Sequence, residues 1–449
     1  MPCVRSLRSW GWRERTLLDD FAAPTRSRRW TVFAVLSVLL VIGLIALPLV
    51  TDIVQGPFIS TVGNPAPLTG SKHKKLITIE HQTVRLRHLK PVHPVRVVFL
   101  GRRPFAQKLK KLFSTGLSSQ AVTGDYQEWV LSGLVPRDTN VRKILTSGVA
   151  SQVAGWYSFK TKRLYILDVG SAFGIDRWYL AHEYTHALQD QHFHLAKLER
   201  DPVDHRIHNS DRALAVRSLV EGDAVTTQYA YMDRYYTSAE RAALIRQSQS
   251  QKEQPLPRAI EEQFVFPCTA GPVYVQDLLA GGGYSRVDRM FRHPPTTTYQ
   301  LLFPGRSVRE RLPRLSSVGG RFRSWTVLDG DVDGALGSEQ LVEQHVSGVL
   351  AAKLAQLWRG DRYILIRKGT QFAMRMDFNY AGPSPARQAG SIFEQSLAAR
   401  FGGLRYFAEG QWGRGDGISG AIYISGSRVT LSFARSTKMA QSLALAPTR

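Results

Sequence analysis

Residues 176–193, DRWYLAHEYTHALQDQHF, decide how the rest of the chain is read. Their apolar positions recur at helical spacing, Gly and Pro are absent, and Asp176 stands first as a candidate N-cap, so the pattern predicts an amphipathic helix. Within it lies His182-Glu183-Tyr184-Thr185-His186. Side chains four apart on a helix share one face, one turn apart, so both imidazoles can reach a single ion. Glu183 sits beside that face, where a carboxylate can take a proton from a metal-bound water. With 12 His and 15 Glu among 449 residues, composition alone would give this pattern in roughly one such chain in a hundred.

Two residues compete to be a third ligand. His192 follows His186 by six, the histidine spacing of the pattern HExxHxxGxxH, but Gln189 occupies the place of the Gly that turns that chain out of its helix. If the helix continues, His192 lies ~15 Å along the axis from His182 and points elsewhere. The alternative is Glu221 in SLVEGDA, residues 218–224, on a second predicted helix over 210–236 with Ser210 as candidate N-cap. Gly222 inside that helix costs ~1 kcal/mol relative to Ala, and close approach of another helix is a reason to keep it. Two imidazoles and one carboxylate would leave the fourth corner of a zinc ion open for water. A solvent-facing helix glutamate is the bland reading of Glu221.

Softer candidates surround this set. Asp190, four residues beyond His186, is placed either to accept a hydrogen bond from a ligand imidazole or to be a solvated helix acid. Tyr229, Tyr231, Tyr235, His208 and His293 are candidate oxyanion donors or structural residues. A hairpin is predicted from VAGWYSF (153–159) and RLYILD (163–168), and its edge could pair with an extended peptide.

The chain's +23 formal charge is dispersed without a long Lys/Arg tract. It favours anionic surfaces such as those of a cell envelope, and no nucleic-acid reader motif accompanies it. Cys3 and Cys268 supply no disulfide framework and no cysteine-rich structural zinc site. Residues 30–50, WTVFAVLSVLLVIGLIALPLV, carry no charge and are long enough to span the ~30 Å hydrocarbon core as one helix. They exceed a usual signal core, and no Ala-x-Ala pattern follows. Seven arginines precede them and residues 51–70 hold no Lys or Arg, which predicts a cytoplasmic N-terminus and an extracytoplasmic bulk.

The expected organisation is therefore α+β: a basic tail (1–29), a transmembrane helix (30–50), a Gly/Pro/Ser/Thr-rich linker (51–75), a mixed domain with a mainly helical second half (76–320), and a small C-terminal α+β domain (321–449). Strands are expected at LITIE (76–80), TVRLR (83–87) and VRVVFL (95–100), and a short helix at FAQKLKKLF (105–113). Further helices are expected over 238–250, 270–281 and 284–292, then 337–357 and 388–400 among strands at 362–368, 372–378, 404–409, 420–425 and 428–433.

HEYTH followed by a helix bearing a glutamate resembles the gluzincin zinc peptidases. Together with GWYSFKTKRLYILD (155–168), HEYTHALQDQHF (182–193), PPTTTYQLLFP (294–304) and LWRGDRY (357–363), it resembles a poorly characterised bacterial family of membrane-anchored metallopeptidase-like proteins. The resemblance covers about residues 150–400 and implies a zincin-like domain, Zn2+ as cofactor, and hydrolysis of peptide bonds in a peptide or protein substrate. An inactive zincin-fold binding protein of the envelope, or a zinc hydrolase acting on another amide or an ester, would share the same motif.

Overall fold

The computed structural model describes residues 71–116, 119–140, 155–168, 176–199, 208–250, 256–407 and 409–448. The chain opens with α1 (Ser71–Arg87), then β1 (Arg96–Leu100), α2 (Arg102–Gly116), α3 (Ser119–Ser132), β2 (Gly155–Ser158) and β3 (Arg163–Leu167). The alternating segments 76–80 and 83–87, expected as strands, are one helix. The buried residues of α1 are Leu76, Ile79, Thr83 and Arg87, a spacing of three to four that lines a single helical stripe. Tertiary burial has overridden the β-branched propensity of Ile77, Thr78 and Ile79.

The first sheet has the order β1-β3-β2, with β1 parallel and β2 antiparallel to β3. It is buried on both faces, and its side chains alternate between two cores. Tyr157, Leu164 and Ile166 join the core around the helices that follow. Trp156 and Tyr165, stacked 4.8 Å apart, join the core beneath a second sheet. The predicted hairpin is present, with Lys162 in the left-handed region (φ 53°) at its turn.

The helical layer is α4 (Asp176–Phe193), α5 (Ser210–Tyr235), α6 (Ser238–Ser250), α7 (Arg258–Ala280), α8 (Gly283–Arg292) and the short α9 (Thr298–Leu302). Contrary to the amphipathic expectation, α4 is buried all round from Trp178 to Asp190, so its polar groups must find partners inside the protein. Asn209, not Ser210, caps α5, its side chain accepting from Arg212 N. Helix α7 begins twelve residues before its expected start at 270 and carries Pro267 and Pro272 within it.

Gly222 lies where α5 crosses α7, back to back with Gly271. A Cβ on Gly222 would stand 2.3 Å from the Gly271 carbonyl carbon and 2.4 Å from its oxygen. Backbone, unlike a side-chain tip, cannot turn aside. Gly222→Ala is expected to force the helices apart and destabilise the protein by about 3 kcal/mol, at the upper end of what overpacking costs. Thermal unfolding of Gly222→Ala checks this, and a melting temperature equal to wild type would show that the crossing yields freely.

The second sheet is antiparallel with seven strands in the order β4-β5-β6-β10-β9-β8-β7, namely β4 (Thr326–Asp331), β5 (Gly360–Lys368), β6 (Gln371–Asn379), β7 (Arg405–Phe407), β8 (Gly410–Gly415), β9 (Ile418–Ser425) and β10 (Arg428–Ala434). Four helices accompany it: α10 (Gly334–Glu343), α11 (Gly348–Leu357), α12 (Pro383–Phe401) and α13 (Thr437–Ala444). The sheet thus holds two strands, β4 and β8, beyond those expected in this part of the chain. One core joins Val98, Phe105 and Trp156 to Leu365, Met376, Phe393 and Phe433, from both sides of residue 320. The expected helix over 337–357 is two helices, because the Ser347 side chain caps a new start by accepting from Leu350 N.

The start of α5 is tied to the end of β4, with Asp211 N donating to Val332 O at 3.0 Å, and buried carboxylates brace both sides of that junction. Asp211, at the start of α5, accepts from Thr298 N at 2.8 Å. Asp361 on β5 accepts from Gly334 N (2.8 Å), Trp358 Nε1 (2.7 Å) and Asp333 N (2.9 Å), holding the start of α10.

The expectation of a single-pass membrane protein with an extracytoplasmic domain is corrected. Among the described residues no helix is long and apolar enough to cross a membrane. The segment read as the anchor, residues 30–50, lies outside them. Of the long helices that are described, α5 carries charged residues along its length and α7 carries Arg258, Glu261, Glu262 and Asp277 toward its ends, and the two bury their apolar surface in one core.

Candidate metal centre

Helix α4 brings His182 and His186 onto one face, and α5 lays Glu221 across from them. The imidazole Nε2 atoms are 2.9 Å apart, and Glu221 Oε2 is 3.3 Å from His182 Nε2 and 3.6 Å from His186 Nε2. All three side chains are fully buried, and their ligand atoms lie within 4.8 Å of one another. Among the described residues this is the group of His, Cys, Asp and Glu side chains with the geometry to hold a metal ion.

The donor set fits a divalent cation. Ligand atoms bound tetrahedrally at ~2.1 Å stand ~3.4 Å from one another, close to the two carboxylate separations, and the imidazoles need part only slightly. Among the described residues neither oxygen of Glu221 has a hydrogen-bond partner, nor has His182 Nδ1. A buried carboxylate so placed is costly unless a cation faces it. The three side chains also act strongly on one another's charge. Burial alone would raise the Glu221 carboxyl, but the two imidazoles hold it at about 2. Burial alone would depress His186, but the Glu221 carboxylate lifts it to about 9. His182 is held low, chiefly by burial, with charged His186 adding to the effect against the pull of Glu221.

Glu183, also buried, accepts a hydrogen bond from Tyr157 N at 2.7 Å through Oε2. Burial pushes its carboxyl up to about 8 against the opposing pull of His186 and the Tyr157 N–H. The edge strand β2 therefore reaches the candidate base directly, and the Tyr157 donor on that edge is already engaged.

The other sequence candidates are placed differently. Asp190 accepts from Tyr157 Oη (3.0 Å), Lys162 Nζ (2.6 Å) and Leu195 N (3.1 Å), pinning the hairpin and the turn after α4. The residue whose oxygen meets the His186 ring is its neighbour Gln189, at 2.9 Å from Nδ1. In the sequence Gln189 stands out only as the residue at the glycine position of the pattern HExxHxxGxxH. His192 meets Lys90 O at 2.7 Å, away from the pair. Tyr231 donates to Gln82 Oε1 at 2.6 Å, Tyr235 packs against Tyr231 at 5.0 Å, His208 faces Asp329 Oδ1 at 3.9 Å, and His293 ends α8 at the surface. Tyr229 is buried in the helical core. Glu199, not singled out from sequence, is buried near this centre with both carboxylate oxygens lacking hydrogen-bond partners among the described residues. Its signal is invisible without the fold.

No known family profile matches the chain, and no curated protein matches it. A protein from Chloroflexus aurantiacus, whose crystal structure is described as that of a candidate hydrolase with a novel fold, is similar at 20% identity and a TM-score of 0.34, over 59% of this chain and 95% of that chain. The gluzincin resemblance accordingly rests on the residues of the site.

Proposed function

We propose that the protein is a zinc-dependent hydrolase of peptide bonds, with His182, His186 and Glu221 as ligands and Glu183 as general base. The observation that carries this reading is the convergence of two imidazoles and one carboxylate, from two separate helices, on a single buried point, with a further glutamate beside one of them. Three protein ligands suit a catalytic rather than a structural zinc, which more often has four. Zinc in such a site lowers the pKa of a bound water and polarises a carbonyl. The chain's own contribution is to hold the ligand atoms in place, keep bulk water from them, and present Glu183 with one oxygen fixed by Tyr157 N while the other is left to take and return a proton.

The purified protein is expected to bind about one zinc per chain and to hydrolyse members of a fluorogenic peptide library. Chelation should abolish that hydrolysis and restored zinc should return it. Metal analysis by mass spectrometry with a parallel activity assay checks both, and a chain that takes up no divalent metal at micromolar concentration rules the reading out.

A further inference from the structure

A chain of buried polar contacts runs away from the metal ligands and is used by none of the chemistry above. Gln189 Oε1 faces His186 Nδ1 at 2.9 Å, while Gln189 Nε2 donates to Asp223 Oδ2 at 2.8 Å and to Val220 O at 3.0 Å. Asp223 Oδ2 also accepts from Arg87 Nε at 2.7 Å, and Arg87 Nη2 donates to Asp288 Oδ1 at 2.6 Å. Gln189, Asp223 and Arg87 are fully buried. Four helices supply the members: α1 gives Arg87, α4 gives Gln189, α5 gives Asp223 and α8 gives Asp288. The Tyr284 ring lies 4.7 Å from the Arg87 guanidinium and backs it.

The chemistry of an amide makes this chain directional. Two acceptors, a carboxylate and a carbonyl, converge on one end of Gln189, so that end must be the NH2 group and the oxygen must face His186. An acceptor at Nδ1 requires a proton on Nδ1. In the neutral form of the ring, the form that can bind a cation, the proton is then absent from Nε2, the atom directed at His182 and Glu221. Were the amide reversed, an N–H would oppose Nδ1, the proton would move to Nε2, and the lone pair aimed at the cation would be lost. Arg87 Nε donates to the same Asp223 oxygen that accepts from Gln189 Nε2, which orients that carboxylate and so holds the amide in its productive sense.

We infer that Gln189 is a positioning residue for the metal ligand His186, and that Asp223 and Arg87 act through it to fix the ligand's tautomer and ring orientation. This rests on the reading of His182, His186 and Glu221 as zinc ligands. Outer partners of ligand histidines are worth ~10–100-fold in metal affinity. A buried glutamine serving structure alone would affect folding and leave zinc binding untouched.

The test compares full-length wild type with Gln189→Met, which keeps the length of the side chain and removes both hydrogen-bonding ends, and Asp223→Asn, which keeps an acceptor and removes the charge. Zinc affinity is measured by chelator competition, the ligand field by the visible spectrum of the cobalt-substituted protein, and fold by the melting temperature without metal. Expected are a ~10–100-fold weaker zinc affinity and an altered cobalt spectrum in Gln189→Met, with a smaller loss in the same direction in Asp223→Asn. If Gln189→Met does not fold, Asp223→Asn decides: weakened zinc binding supports the inference, and wild-type affinity overturns it. Wild-type affinity in a folded Gln189→Met overturns it too, leaving the metal site intact. A wild type that binds no zinc strikes instead at the function proposed above.

Discussion

Glu183→Gln is expected to retain zinc at wild-type stoichiometry and to lower kcat/KM on peptide substrates by about 10³-fold, the middle of the range for loss of a general base. The substitution is nearly isosteric. A glutamine oxygen can still accept from Tyr157 N, now 2.7 Å from Glu183 Oε2, so the side chain should stay where it is. What disappears is the ability to take a proton and give it back. Because His182, His186 and Glu221 are untouched, metal content and activity should separate. Parallel zinc analysis and initial-rate assays read that separation. Turnover at the wild-type rate with zinc bound would remove Glu183 from the chemistry, and loss of zinc along with activity would make it a support for the ligands.

Why some of this site could be read from sequence and some could not follows from the length scale of each interaction. His182, Glu183 and His186 lie within one helical turn, where backbone geometry alone fixes their neighbourhood. Glu221 needed one further inference, that Gly222 marks a close helix crossing. The crossing exists, but its partner is Gly271 on α7 rather than the helix carrying the histidines. Gln189 and Asp223 are 34 positions apart, and Asp223 and Arg87 are 136 apart, so no local pattern announces their contacts. The choice between Asp190 and Gln189 as the partner of His186 was equally out of reach. Both lie within a turn of the ligand, and the fold turns Asp190 toward Tyr157 and Lys162.

The same limit shaped the fold. The β2–β3 hairpin and the strands β5, β6, β9 and β10 have strong β-forming runs and were legible. Strand β8, GQWGRG, holds three glycines in six residues and reads as a turn, yet it pairs with β9 from Gly410 to Gly415 because tertiary context supplies what propensity lacks. The α+β class was therefore legible while the size of the second sheet was not. The anchored architecture drew on hydropathy in residues 30–50, apart from the residues whose structure is described.

Glu221→Ala is expected to weaken zinc binding by more than the ~100-fold that bounds the loss of an outer partner of a ligand. The reason is electrostatic as well as geometric. Glu221 is the carboxylate of the proposed ligand set, with Oε2 3.3 and 3.6 Å from the two imidazole nitrogens, and it is fully buried. Two neutral imidazoles alone can supply lone pairs but no negative charge to a divalent ion removed from water. Asp190→Ala and His192→Ala serve as comparisons, since both residues lie near the ligands in sequence and engage other partners. Asp190→Ala should lower the melting temperature by loosening the hairpin and the turn at Leu195. His192→Ala should leave zinc affinity unchanged. Competition titration of all three variants against a chelator ranks the candidates directly. Should Glu221→Ala hold zinc as tightly as wild type while His192→Ala releases it, the third ligand would be the histidine, and the centre would have to be rebuilt around a turn at Gln189 that α4 does not make.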